Sequence, residues 1–117
     1  MWLVGVAVES IKCYTSYMKA IWNDVTIAEA PKEELLRIEG NWYFPPSALK
    51  REYFKDSDHH TTCIWKGEAN YYDIDINGKT NEFGAWYYPN PKEGSTDLVK
   101  SDFKDYVAFW NGVLVTE

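Results

Sequence analysis

The chain has 117 residues, the length of a single domain, and its 12 Lys and Arg against 18 Asp and Glu give a net charge of −6. A pI near 4.9 argues against a nucleic-acid binder, and two cysteines cannot form a disulfide-rich scaffold. No apolar run approaches the roughly 20 residues of a membrane span, whereas aromatic residues, at 17%, can fill much of a core.

The first 17 residues open with an apolar run and differ from the remainder. A secretory signal needs positive residues before its apolar segment, and here Trp2 follows Met1 directly. A weak export or anchoring segment and an extra strand ahead of the domain are the two interpretations, and the second is favoured. We predict an N-terminal extension at residues 1–17 and one domain at residues 18–117.

Two-residue turn signals recur along the chain between runs of strand-forming residues. They are Asn23-Asp24, Asn77-Gly78 and Asn111-Gly112. Before the second turn, Tyr72 to Ile76 alternate strictly between apolar and acidic side chains, as in a half-buried strand. The pattern predicts a mainly β protein built from antiparallel hairpins, with the first and last hairpins as neighbours in one sheet.

Helical signal is scarce. Short helical turns are predicted at residues 31–34, 46–54 and 95–99. In the second of these, Leu49, Tyr53 and Phe54 would share one face. Segments that carry Pro, Asp and Ser predict connections at residues 56–59 and 89–94.

Several ordered blocks in the middle of the chain resemble one known family. They are Asn41-Trp42-Tyr43-Phe44-Pro45-Pro46, Arg51-Glu52-Tyr53, Thr61-Thr62-Cys63-Ile64-Trp65-Lys66-Gly67, Ala69 with Tyr71-Tyr72, Ala85-Trp86-Tyr87-Tyr88-Pro89 with Pro91, and Val107-Ala108-Phe109-Trp110. In order and spacing these blocks are similar to domain-of-unknown-function family 427, over residues 18–115. One departure is Ile64 after Cys63, where the family usually has proline.

The resemblance implies a compact, mainly β fold of the β-tent type. In that fold two antiparallel sheets lean together and hold a pocket or a metal site between them. The family is also filed under a nucleotidyltransferase-like label, and the resemblance implies no established activity that can be carried over residue by residue.

The resemblance also raises the possibility of a zinc site, because some β-tent relatives carry a structural zinc on paired Cys-x-x-Cys motifs. This chain has no such motif, and the close group of potential ligands is His59, His60 and Cys63, with Asp56 or Asp58 as a fourth. Because the paired spacing typical of zinc is absent, we predict no metal site.

Three residues are candidates for catalysis: Glu52, His60 and Cys63. Cys63 would be a nucleophile if His60 or a cation such as Lys66 lowered its pKa, but a buried structural cysteine is the commoner case. Glu52, next to Arg51, would be an acid or base in an apolar pocket and part of an exposed ion pair outside one. The sequence identifies no cofactor.

Nucleotidyl transfer needs two carboxylates that hold a divalent metal, and Asp73 and Asp75 supply an Asp-x-Asp pair. No Gly-Ser turn precedes the pair, because Gly94-Ser95 comes about twenty residues later. Simple alternation, with both aspartates facing water, explains the pair equally well.

The aromatic residues of the family blocks are the strongest feature. Alternation sends Trp86 and Tyr88 to one face of a strand and Tyr87 to the other, so the rings cannot all lie in one core layer. A pocket with aromatic walls and a core filled by rings are the two interpretations.

We predict a cavity lined by at least two of Tyr43, Trp65, Trp86 and Tyr88, with Arg51 and Glu52 at its rim. The predicted ligand-binding set is Tyr43, Arg51, Glu52, Trp65, Lys66, Trp86 and Tyr88. The predicted function is binding of a small planar or cationic ligand by a cytoplasmic domain that contacts neither nucleic acid nor membrane. The alternatives are a nucleotidyltransferase-like or cysteine-dependent enzyme and a protein-interaction domain, and exposed edge strands would allow a homodimer.

Overall fold

The computed structural model describes residues 16–117, so the interpretations of the N-terminal extension lie almost entirely outside the described residues. These residues form nine strands and one short helix: β1 (Tyr17–Trp22), β2 (Val25–Pro31), β3 (Leu36–Ile38), β4 (Asn41–Tyr43), β5 (Phe54–Cys63), β6 (Gly67–Ile76), β7 (Lys79–Tyr87), α1 (Ser95–Val99), β8 (Val107–Phe109) and β9 (Leu114–Thr116). Single 3-10 turns lie at Lys32–Glu34, Pro46–Ala48 and Arg51–Tyr53. Within residues 16–117, no helix has the length and apolar character needed to cross a bilayer.

The strands of the described part pair antiparallel throughout. A three-stranded sheet has the order β2-β1-β9, a four-stranded sheet has the order β5-β6-β7-β8, and β3 pairs with β4 in a separate ribbon. A bridge between Phe44 and Val107 attaches that ribbon to β8. The predicted mainly β architecture is confirmed, with the ribbon as an addition to the two expected sheets.

The first two predicted hairpins form where their turn residues indicate. Asn23 and Asp24 have φ values of 52° and 64°, and Asn77 and Gly78 have φ values of 50° and 81°, as the twist of a two-residue hairpin requires. The third turn forms at Asn111-Gly112, but it does not close a hairpin. Its flanking strands separate, because β8 pairs with β7 whereas β9 pairs with β1. The first and last segments are therefore neighbours, as predicted, in the three-stranded sheet.

The short helical turns also form within the predicted segments, and residues 89–94 are a connection. The predicted connection at residues 56–59 is wrong, because these residues lie within β5. The strand continues there with an irregularity between Asp56 and His60, which accommodates the polar residues without ending the pairing to β6.

Large apolar side chains cover both faces of the four-stranded sheet and form two clusters. The first cluster lies between this sheet and the three-stranded sheet and includes Ile27, Phe44, Ile74, Val107 and Phe109. The second cluster lies on the opposite face, beneath the β3–β4 ribbon, and includes Ile38, Tyr43, Tyr71, Tyr88 and Phe103. Because Tyr43 and Phe44 are consecutive, the last residue of β4 and the residue after it each contribute a ring to a different cluster.

A bulge with three residues opposite one interrupts the pairing of β6 and β7. Ile74 pairs with Asn81 and Tyr72 pairs with Ala85, so three residues of β7 lie opposite Asp73. The middle one, Phe83, has a φ of +60°, which is a strained conformation for a bulky side chain. The Asp73 carboxylate accepts a hydrogen bond from the Phe83 N–H at 3.0 Å, and the Phe83 carbonyl accepts one from the Trp110 indole, so the strained backbone is held from both sides.

The bulge predicts that Gly84→Ala lowers the free energy of unfolding by about 1–3 kcal/mol, because an added methyl overfills a packed site. A Cβ at position 84 would lie 2.7 Å from Ile74 Cδ1 and 3.0 Å from Asn81 Nδ2. Urea denaturation gives the measurement. Ile74→Val removes the colliding methyl, so the penalty of Gly84→Ala should shrink in the Ile74→Val background; an unchanged penalty would contradict the steric cause.

Candidate functional site

The structure separates the predicted ligand-binding residues into two groups on opposite faces of the four-stranded sheet. Five of them gather at the second cluster and the turn beside it, and these are Tyr43, Trp65, Lys66, Trp86 and Tyr88. Arg51 belongs to the other face, where it contacts Tyr72, and Glu52 is an exposed residue of the same 3-10 turn.

The centre of the first group is a lysine, Lys66, whose exposed fraction is only 5%. Its ammonium group is paired with the Glu39 carboxylate and lies 5.2 Å from the ring centroid of Trp65 and 5.3 Å from that of Tyr88. The Trp65 indole donates a hydrogen bond to the second Glu39 oxygen at 3.3 Å. Glu39 therefore ties the β3–β4 turn to the β5–β6 turn and fixes both Trp65 and Lys66.

Charge pairing outweighs burial at Lys66. Burial alone would lower the pKa of the ammonium group, but the hydrogen bond that it donates to Glu39 and the nearby Tyr43 and Tyr88 oxygens raise this pKa above its ordinary value. The same hydrogen bond lowers the pKa of Glu39. Lys66 is thus held as a charged ammonium group, which makes it a structural cation and a poor nucleophile.

Two tyrosines enclose this ion pair on its inner side. Burial raises the pKa of Tyr88 to about 12 and also raises the pKa of Tyr43. The Trp86 indole donates a hydrogen bond to the Tyr43 hydroxyl at 3.1 Å, and the two rings meet edge to face. Tyr43, Tyr88 and the inner part of Trp86 are therefore packed interior rather than cavity wall.

Two open cavities on the surface of the described residues bear on the predicted site. The larger of the two, of about 650 Å³, is lined by Trp22, Thr80, Asn81, Glu82, Phe83 and Asn111. The smaller, of about 430 Å³, is lined by Ile64, Trp65, Lys92, Glu93, Gly94, Ser95 and Leu98. Of the four rings predicted to share a cavity, Trp65 borders the smaller of these two, whereas Tyr43, Trp86 and Tyr88 line neither and pack with Phe103 and Ala108 in the second cluster.

The predicted rim of that cavity is wrong. The Arg51 guanidinium donates to the Tyr72 hydroxyl at 3.2 Å and lies 5.9 Å from its ring centroid, and Tyr72 stacks on Tyr87 at 4.6 Å. His60 lies on this face as well, with its Nδ1 2.8 Å from the side-chain oxygen of Asn70. Arg51 lies in the 3-10 turn that precedes β5, and this turn places its side chain against Tyr72, on the face of the sheet opposite Trp65.

The groups considered for the enzymatic alternatives have other partners in the structure. Cys63 packs against the second cluster, so it lies on the face opposite His60 and forms no Cys–His pair with it. Asp73 accepts the Phe83 N–H, while Thr80 and Lys55 hold Asp75 and keep its pKa below the usual range. Within residues 16–117, no three His, Cys, Asp or Glu side chains gather as metal ligands.

Sequence reasoning missed three residues that define this region: Glu39, Ile64 and Leu98. Glu39 and Gly40 have φ values of 53° and 85° and close the β3–β4 hairpin, so a Glu-Gly pair between two short strands was the available signal. Ile64 and Leu98 are strongly exposed apolar side chains beside Trp65, and no periodic pattern marks them.

Glu39→Gln should lower the free energy of unfolding by about 1–3 kcal/mol, because it leaves the Lys66 ammonium buried without its counter-charge. Chemical denaturation gives this value directly. The matched control is Glu117→Gln, which removes the exposed Lys32–Glu117 pair and should change stability too little to measure. Equal effects of the two substitutions would contradict a special role for the Glu39–Lys66 pair.

Between pH 10 and about 12, the free energy of unfolding should fall as pH rises. An unfolded tyrosine releases its proton near pH 10, whereas Tyr88 keeps its proton to about pH 12, so the folded state binds more protons over this interval. Denaturation at several pH values, with ultraviolet titration of the phenol groups, measures the effect. Tyr88→Phe should reduce the slope; a slope unaffected by this substitution would contradict the cause.

The comparison with known families covers nearly the whole chain. A family model described as a domain of unknown function (DUF427) matches residues 10–116, which include every described strand and both ends of the Glu39–Lys66 pair. The nucleotidyltransferase-like name of that model is a label and identifies no reaction. No curated protein matches the chain. Because this model covers nearly the whole chain, the chain belongs to the DUF427 family.

Proposed function

We propose that this domain binds a small planar aromatic molecule in the smaller cavity, named here the Trp65 groove after the ring in its wall. The groove lies between the β5–β6 turn, which carries Trp65, and the segment that leads into α1. One observation carries the proposal. The Trp65 indole is held by the Glu39–Lys66 ion pair at the edge of this groove, and the other apolar side chains of the groove, Ile64 and Leu98, are exposed.

The Trp65 ring is positioned before any ligand arrives. Its indole N–H donates to Glu39, and the buried Lys66 ammonium lies against the ring. A wall that is already fixed loses little conformational entropy when a flat molecule stacks on it. The rigid ring therefore favours a planar ligand over a flexible one.

The opposite wall is also preformed. The Lys92 N–H donates to the Lys66 carbonyl at 2.9 Å, and the buried Ser95 hydroxyl donates to the Lys92 carbonyl at 2.6 Å. Gly67, with a φ of +110°, lets this loop approach closely, since a Cβ there would lie 3.2 Å from the Asn90 carbonyl oxygen. The turn and the loop are thus locked together, and the groove between them keeps its shape.

The apolar side chains of the groove supply the driving force. Ile64 is 85% exposed and Leu98 is 72% exposed, and both line the groove with Trp65. Covering apolar surface is worth about 25 cal/mol for each Å² removed from water. A volume of about 430 Å³ matches a small molecule of a few fused rings.

The charges around the groove balance one another. The Lys92 ammonium donates to the Ile64 carbonyl at 2.9 Å beside the groove, and Glu93 lines the same groove. The Lys66 ammonium behind Trp65 is paired with Glu39. Of the planar and cationic ligands expected from the sequence, the planar one suits the fixed indole, and this charge balance does not select a cation.

Naphthoate should raise the melting temperature by about 5 °C at ten times its Kd, because it binds only the folded state. Thermal shift and calorimetry measure this. Decalin carboxylate, which has the same charge without planarity, should bind at least several-fold more weakly.

Leu98→Glu places a carboxylate in the groove and should abolish naphthoate binding without unfolding the domain, because the side chain is on the surface. The matched control is Leu114→Glu, a similarly exposed leucine on β9 that does not line the groove. Binding lost equally in both variants, or decalin carboxylate binding as tightly as naphthoate, would contradict the proposal.

A further inference from the structure

The larger cavity lies at the β6–β7 bulge, and the Trp65 groove lies at the β5–β6 turn, at the other end of β6. The function proposed above does not involve the larger cavity. Its walls come from β7, the end of β1 and the turn after β8. In a regular strand, consecutive side chains alternate between faces, so three residues in a row cannot line one cavity. Here Asn81, Glu82 and Phe83 all do.

The bulge is what makes this possible. Three residues of β7 stand opposite Asp73, and Phe83 adopts a φ of +60° that reverses the usual alternation. A bulky residue in this conformation persists only where its surroundings hold it. Asp73 and Trp110 bind the Phe83 backbone, and the His59 ring stacks on the Phe83 ring at a centroid distance of 4.3 Å.

A pair of asparagines fixes the floor of the cavity. Asn81, which is buried, donates to the Asn111 carbonyl at 2.9 Å and accepts from the Asn111 amide at 2.9 Å. The Asn111 amide donates its second hydrogen to the Glu82 carbonyl at 3.1 Å. Both hydrogens of the Asn111 amide are thus used within the protein, as is the Thr80 hydroxyl hydrogen, which goes to Asp75.

What the cavity offers a ligand is therefore chiefly a carboxylate and aromatic rings. Its lining residues include the Glu82 carboxylate, Trp22 and Phe83, and none of them is a lysine or arginine. Within residues 16–117, no salt bridge engages Glu82. A carboxylate beside aromatic rings attracts a cation and repels an anion.

We propose that this cavity, named here the bulge cavity, binds the alkylammonium group of an amine. The ammonium group pairs with Glu82, and the alkyl part packs against Trp22 and Phe83. This chemistry differs from that of the Trp65 groove, where Lys92 and Glu93 both line the wall. The proposal is independent of the planar-ligand proposal, because the two cavities share no lining residue.

Titration calorimetry at low ionic strength tests the proposal with n-butylammonium and with n-butanol as the uncharged probe of matched length. The ammonium probe should bind, with side-chain amide NMR signals of Asn81 and Asn111 shifting, and n-butanol should not. Glu82→Gln should weaken binding by about tenfold, because it removes the counter-charge and leaves an exposed side chain of similar size.

The matched control is Glu93→Gln, which neutralises an acidic residue of the Trp65 groove and should leave butylammonium affinity unchanged. Equal binding of n-butanol, an unaltered affinity in Glu82→Gln, or no binding of the ammonium probe would overturn the proposal. Lysine blocked at both ends distinguishes the sources of the amine: tighter binding than butylammonium assigns it to a protein side chain, and weaker binding to a free amine.

Discussion

The four-stranded sheet must be covered on both faces, and the arrangement of the remaining chain follows from this requirement. β6 carries Tyr71 toward the second cluster, beside its β7 partner Trp86, and Ile74 toward the first cluster, beside its β5 partner Phe54. One face receives the β2-β1-β9 sheet and the other receives the β3–β4 ribbon. The two covering layers are connected through β4. Tyr43, at its end, packs in the second cluster, whereas the next residue, Phe44, forms a bridge to β8 and packs in the first cluster.

This two-sided burial determines where function can reside. The rings of the family blocks are divided between the two clusters, and in the second one Phe103 packs against Tyr88. Openings form where the sheet is interrupted: at the β5–β6 turn beside Trp65 and at the bulge around Phe83. Beside each opening lies a polar pair with one buried member: Lys66 paired with Glu39 in one case, and Asn81 paired with Asn111 in the other.

Turn chemistry made the hairpins predictable, because Asn23-Asp24 and Asn77-Gly78 specify their conformation locally. The separation of β8 from β9 after Asn111-Gly112 was not predictable, since each strand is recruited by a partner distant in sequence. The same limit applies to the site. Lys66 is paired with Glu39, which is 27 residues away in the sequence. Arg51 contacts Tyr72 on the opposite face of the sheet, and no local sequence pattern predicts that contact. Gly84 was the one local sign of the bulge, and a single glycine in a strand does not specify its geometry.

The central claim is that Trp65 is the ring of the family blocks that a ligand reaches, whereas Tyr43, Trp86 and Tyr88 are packed interior. NMR of the indole N–H groups during titration with naphthoate tests this most directly, because Trp65 and Trp86 give separate signals that substitution can assign. The Trp65 signal should move with saturation, and the Trp86 signal, whose N–H is bonded to Tyr43, should stay in place. Movement of Trp86 with Trp65 unmoved would contradict the claim and place the ligand within the ring cluster.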